Sequence, residues 1–266
     1  MCVMPEHGDA GALAWRRRIS RAHYATLGEL FDPTTFRHLG ALGLRAGWRC
    51  WEVGAGGPTV PAGLAERVGP TGRVLATDID VSALEEAPEP GFEILRHDVT
   101  AEPAPRSGLD LVHARLVLMH VAGRDAALTA MTGALRPGGW LLAEEADLSL
   151  QPLACPDEAG PAERLANKLR LVATESRGDN LAFGRTLPRL LRAAGLTAVG
   201  ADAYFPVAGA ASARLQQTMI ERQRDRLLAA GLVTAAEIDQ HLADIAAGRL
   251  DLTTFTVVSA WGRKPP

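Results

Sequence analysis

Apolar residues fall in short runs along this chain, separated by glycine and proline, and their spacing decides which element each run predicts. Cys50, Trp51 and Val53 make a compact stretch suited to a strand buried on both faces. Gly54, Gly56 and Gly57 follow at once, permitting a tight turn and close backbone approach to a ligand. The next helix would point its first amides into that turn. Val74, Leu75 and Ala76 predict a second strand with Asp78 at its carboxyl end, where a carboxylate can accept from both hydroxyls of a ribose. Ser82 and Glu85 fit a capping box for a short helix that Pro88 and Pro90 end. Phe92, Ile94 and Leu95 give a third strand closing at His97-Asp98-Val99, and residues 109–113 a fourth. A helix over 125–135 stops at Arg136-Pro137-Gly138-Gly139, and a fifth strand, 140–143, runs into Glu144, Glu145 and Asp147.

This alternation implies a doubly wound parallel sheet, with ligands at the carboxyl ends of its strands. Before it, residues 15–30 read as a helix, and Asp32-Pro33 reads as the cap and first position of a second helix through Leu42. Together, residues 1–45 form an expected helical lid on a main domain of 46–266. The alternation breaks between Asp147 and Phe183, where Pro152, Pro156 and Pro161 mark a loop before a helix over 162–177. A helix over 183–194 closed by Gly195, a sixth strand over 196–204, a charged helix over 212–230 and a further helix capped by Thr234 and Glu237 follow. Residues 255–261 read as a last strand. Helical insertions near 147–183 and 206–250 therefore interrupt the sheet.

Composition narrows the function classes. At 266 residues, 47% hydrophobic and 22% charged, the chain can bury one large core, alone or with a small cap. A net charge of −3 gives no general attraction to nucleic acid or anionic membrane. Cys2, Cys50 and Cys155 are scattered, so neither a disulfide framework nor a zinc site is expected. The start of the chain lacks a signal-peptide apolar segment, and no apolar run approaches the ~18 residues of a membrane span. A soluble, cytoplasmic protein is the expectation. HExxH, a Cys/His cluster and a calcium loop are all absent, so no metal is expected.

Five segments in order resemble the class I S-adenosylmethionine-dependent methyltransferases: EVGAGG, LATDID, RHDVT, LDLVHARLVLMHV and LRPGGWLL. The resemblance implies a Rossmann-like, mostly parallel seven-stranded sheet with an antiparallel last strand, and S-adenosyl-L-methionine as cofactor. Glu52, Gly54 and Gly56 would then line its methionine and ribose. Asp78 would take the ribose hydroxyls, with Ile79 beside the adenine, and Asp98 and the Val99 amide would read the adenine edge. The His113-Ala114 backbone would lie near the methionine amine, and Arg115 near its carboxylate or the acceptor. Tyr24 resembles lid tyrosines that close over the cofactor. Pro58 stands where the family's third turn glycine usually falls, while Thr59 occupies the third-glycine position of a nicotinamide fingerprint and argues against that cofactor.

Methyl transfer needs mainly an acceptor placed in line with the methyl group. His120, just past the fourth strand, is the candidate base, with a capping histidine as the plainer alternative. At least one of Glu144, Glu145 and Asp147, with Glu144 and Glu145 ahead, offers acceptor binding or proton acceptance; a solvated acid cluster at a strand end is the alternative. Tyr24 serves either as a lid donor or as a packing residue. The helix bearing Leu215, Met219 and Ile220 either roofs an acceptor pocket or forms a homodimer contact, and its ERQRDR run reads as a solvated face. The expected acceptor is a small molecule of specialised metabolism, such as an indole or other aromatic or nitrogen heterocycle. O-methylation of a phenol or carboxylate, and a cyclase or binding protein that keeps the methyl group in place, remain alternatives.

Overall fold

A computed structural model describes residues 21–85, 91–150, 154–155, 160–175 and 181–266. The expected helical residues 15–20, together with Pro88, Pro90, Pro152 and Pro156, lie outside them. The seven strands are β1 (Arg49–Val53), β2 (Arg73–Asp78), β3 (Glu93–Arg96), β4 (Leu109–Arg115), β5 (Leu135–Asp147), β6 (Thr197–Tyr204) and β7 (Thr256–Arg263). They form one sheet in the order β3-β2-β1-β4-β5-β7-β6, with β7 antiparallel to both neighbours. The order reverses between β1 and β4, so the loops leaving these strands diverge and open a crevice at their carboxyl ends.

Helices cover both faces. On one, Trp51, Val53, Leu75 and Val112 pack under Leu128 and Met131 of α4 (Arg124–Ala134) and Leu187 and Leu191 of α6 (Leu187–Ala193). On the other, Cys50, Val74 and Leu111 meet Val60 and Leu64 of α2 (Thr59–Val68), Leu39 of α1 (Arg21–Ala41) and Leu84 of α3 (Ser82–Glu85). A separate apolar cluster joins Leu169 and Val172 of α5 (Pro161–Glu175), Ile220 and Leu227 of α7 (Ala210–Ala229) and Ile238 of α8 (Ala235–Ala246). The two insertions thus build one helical cap. The capping box of Thr234 and Glu237 starts α8 as the sequence predicts.

Two local expectations are corrected. Asp32-Pro33 does not open a second helix: Pro33 lies inside the single helix α1. A proline there costs about 3 kcal/mol, but Leu30, Phe31 and Leu39 are buried around it, at roughly 1.5–3 kcal/mol each. Tertiary packing therefore outweighs the break. The Pro137-Gly138-Gly139 segment also does not delay the fifth strand, which begins at Leu135. Gly138 N–H donates to Lys264 O (2.9 Å) and Lys264 N–H to Gly139 O (2.8 Å), so the residue that follows β7 holds the glycines in line.

Candidate active site

At the end of β1, Gly54 and Gly56 adopt φ of +61° and +62°, a conformation only glycine takes without strain. A Cβ on Gly54 would come within 2.5 Å of Val117 Cγ2, and one on Gly56 would strike the Tyr24 ring. Asp78 is buried at the end of β2. Its Oδ2 accepts the Gly56 N–H at 2.9 Å and its Oδ1 the Asp80 N–H at 3.1 Å, which fixes the turn to the second strand.

Beside the turn, a ladder of polar residues crosses the sheet on the face under α1. Register pairs Glu52 with His113, and Arg115 with Glu144, Ser259 and Asp202 in succession. His113 is fully buried between two carboxylates, with Nδ1 2.6 Å from Glu52 Oε2 and Nε2 3.2 Å from Glu144 Oε2. Burial disfavours its charged form, but Glu52 and Glu144 prevail and push its pKa up to about 9. Ser259 Oγ donates to Glu144 Oε1 at 2.6 Å, and Thr35 Oγ1 of α1 donates to Oε2. Burial works against the Glu144 charge too, yet the imidazoles of His113 and His38 hold its carboxyl below the usual range. Arg115 closes the ladder, donating to Thr35 Oγ1 (3.0 Å) and pairing with Asp32 Oδ1 (2.7 Å), both on α1.

The next residue of β5 faces the opposite way. Glu145 Oε1 accepts the N–H groups of Val117 (3.0 Å) and Leu118 (2.6 Å). Burial pushes its pKa up to about 8 against those two donors. The loop it holds includes Leu116, whose φ of +57° is strained for a branched side chain, and a single 3-10 turn, Leu118–His120.

Turn, loop and cap enclose a cavity of about 430 Å³. Gly54 to Gly57, Asp78 and Arg115 form its sheet side, and Tyr24 and Leu27 its α1 side. Leu116, Met119 and His120 come from the strained loop, and Leu215, Met219, Arg222 and Arg226 from α7. Tyr24 lies over the glycine turn, and His120 is exposed at the wall. Helix α7 therefore takes the roof role, and two arginines of its ERQRDR run line the cavity. The sequence missed them because their cavity-facing positions emerge only once the helix is docked.

Residues 51–143 match a family described as the methyltransferase domain. That match covers 93 of the chain's 266 residues. Among solved structures, the chain resembles phosphoethanolamine N-methyltransferase 2 of Haemonchus contortus, seen with S-adenosyl-L-methionine: TM-score 0.54, 13% identity, over 99% of this chain and 62% of that one. That likeness is one of fold. By sequence it is 29% identical to an uncharacterized 37.1 kDa transposon protein of Streptomyces fradiae, over 83% of this chain and 65% of that protein. It is 32% identical to the ubiquinone/menaquinone biosynthesis C-methyltransferase UbiE of Pseudomonas putida, over 38% of this chain and 42% of that enzyme. The chain thus spans less than two thirds of either relative.

The chain's own residues fit S-adenosylmethionine at one end of the cavity. The turn carries no side chain larger than that of Ala55, so a ligand can approach its backbone closely, and the buried Asp78 carboxylate lies beside it, accepting the Gly56 and Asp80 N–H groups. Ile79, Asp98 and Val99 lie outside this cavity wall: Asp98 Oδ1 takes Thr100 N–H (2.8 Å) and Oγ–H (2.6 Å), and Val99 is buried in the core. Glu52, His113, Ala114, Glu144 and Glu145 are also buried away from the wall. Arg115 reaches it. Among the described residues no cluster suits a metal, and no helix is long and apolar enough to cross a membrane.

Proposed function

We propose that this chain transfers a methyl group from S-adenosylmethionine to a small, largely apolar acceptor of specialised metabolism, such as an aromatic or nitrogen heterocycle. The observation that carries this reading is the single cavity in which the glycine turn and Asp78 meet a wall of Leu27, Leu116, Met119, Leu215 and Phe255. Its roof of α1 and α7 suits a molecule of modest size. The bound cofactor would supply a methyl group on a positively charged sulfur, which departs as a neutral thioether with the electron pair of the broken bond.

The chain's residues then have separate tasks. Gly54, Gly56 and Asp78 hold the cofactor, and Tyr24 covers it from α1. The apolar wall excludes water and orients the acceptor, which supplies most of the rate in a displacement of this kind. His120 is the group we assign to take a proton where the acceptor carries one. Glu144 and Glu145 act as positioning residues: Glu144 ties α1 to the sheet, and Glu145 shapes the loop that presents His120. We place the protein in the cytosol, a compartment that suits the buried free thiol of Cys50.

Isothermal titration with S-adenosylmethionine and S-adenosylhomocysteine tests the assignment. Saturable binding by the wild type, lost in Asp78→Ala, is the expected result. Absence of binding in the wild type, or undiminished binding in Asp78→Ala, rejects it.

A further inference from the structure

We propose that the acceptor carries an oxyanion, a carboxylate, sulfonate or phosphate, which Arg222 and Arg226 bind at the mouth of the cavity while its apolar body lies inward. This rests on the reading above for where the acceptor sits and adds what it must carry. Leu215, Met219, Arg222 and Arg226 follow one another by four, three and four residues and form one stripe of α7. All four line the cavity, apolar members first and cationic members last along the helix.

Arg214 pairs with Glu29 and Arg224 with Asp239 (2.8 Å), so those charges meet carboxylates of neighbouring helices. Arg226 instead donates to Gln223 Oε1, a neutral acceptor on the same wall. Among the described residues the wall carries three guanidinium groups and a single carboxylate, Asp78, which the glycine turn engages. The third guanidinium, Arg115, is paired with Asp32. His23 adds no charge, because burial and then Arg222 push its pKa down to about 4. A planar guanidinium meets an oxyanion through two parallel hydrogen bonds, and two such groups one turn apart can share one.

Two dyes of nearly equal ring system separate charge from apolar burial: anilinonaphthalene sulfonate, and phenylnaphthylamine, which lacks the sulfonate. Both are titrated into the chain loaded with S-adenosylhomocysteine. The sulfonate dye should bind about tenfold more tightly than the neutral one. Arg222→Gln and Arg226→Gln should each remove much of that preference, and the double variant all of it, with neutral-dye affinity unchanged. Arg192→Gln, on exposed α6 surface, should leave both dyes alone. A wild type that shows no preference, or a preference that survives the double variant, overturns the proposal. Binding of S-adenosylhomocysteine, measured in the same samples, keeps the two questions apart: its absence sinks the methyltransferase reading, whereas lost dye preference with cofactor binding intact sinks only the anionic acceptor.

Discussion

On the sheet side of the cavity the charged groups turn inward and satisfy one another, whereas on the α7 side they turn toward the opening. Glu52, His113, Glu144 and Ser259 are buried and joined in sequence across four strands. Arg222 and Arg226 are exposed at the rim. The difference teaches what each wall is for. A buried ion network breaks at high cost when one member is removed, so it suits a frame that keeps its shape. Rim cations lose little by changing partners, so they suit a ligand that comes and goes. Neighbouring Glu144 and Glu145 show how finely the frame is divided: one residue apart on β5, they brace opposite faces, the first holding α1 and the second the loop of His120.

Breaking the frame should have the largest effect. His113→Ala leaves two buried carboxylates without their shared imidazole, and should cost about 3–5 kcal/mol in denaturant unfolding near pH 7. A cost under about 1 kcal/mol would show that the ladder is solvated and that the contrast between walls is false. Gly56→Ala is next. It places a Cβ against the Tyr24 ring at a φ of +62°, and strain of about 1–3 kcal/mol should weaken S-adenosylhomocysteine roughly 10- to 100-fold by titration. Ser259→Ala removes one charge-assisted bond to Glu144 and should cost roughly 1.5–3 kcal/mol, read from the same unfolding curves.

A pH series sharpens the comparison with a smaller effect. The folded chain holds a proton on His113 up to about pH 9, above the ordinary histidine value of 6.5. The ladder's stabilisation is then complete below the ordinary value and fades as pH rises through 9. Glu145 keeps its proton up to about pH 8, where an unfolded chain has long released it, so it too makes stability fall with rising pH. Glu145→Gln keeps an acceptor for Val117 and Leu118 and removes the ionisation. It should match the wild type near pH 4 and exceed it by about 1–3 kcal/mol above pH 8. A constant difference across the series would place the proton elsewhere.

The succession of strands along the chain, the glycine turn and Asp78 at a strand end were legible in the sequence because each follows from local demands: buried runs, residues tolerant of positive φ, and an acid closing a strand. The continuous α1 was not, since Asp32-Pro33 carries a strong start signal that only the packing of Phe31 and Leu39 overrides. Glu144 and Glu145 looked like mouth residues because a strand's alternation says nothing of where the strand leaves the core; β5 stays buried through Asp147. His120 was read at the correct edge, as a loop residue beyond the strand. Arg222 and Arg226 were hidden among charges of both signs, and only the docking of α7 on α1 separates those facing the cavity from those facing solvent.

The central claim is that the Gly54–Gly57 turn and Asp78 form the cofactor side of a cavity whose other wall is α7. A crystal structure with S-adenosylhomocysteine tests it most directly. The account predicts ribose hydroxyls within about 3 Å of the Asp78 carboxylate, the sulfur near the glycine turn, and open space beyond it facing Met219, Arg222 and Arg226. A ligand bound away from Asp78, or one whose sulfur faces away from α7, would contradict it.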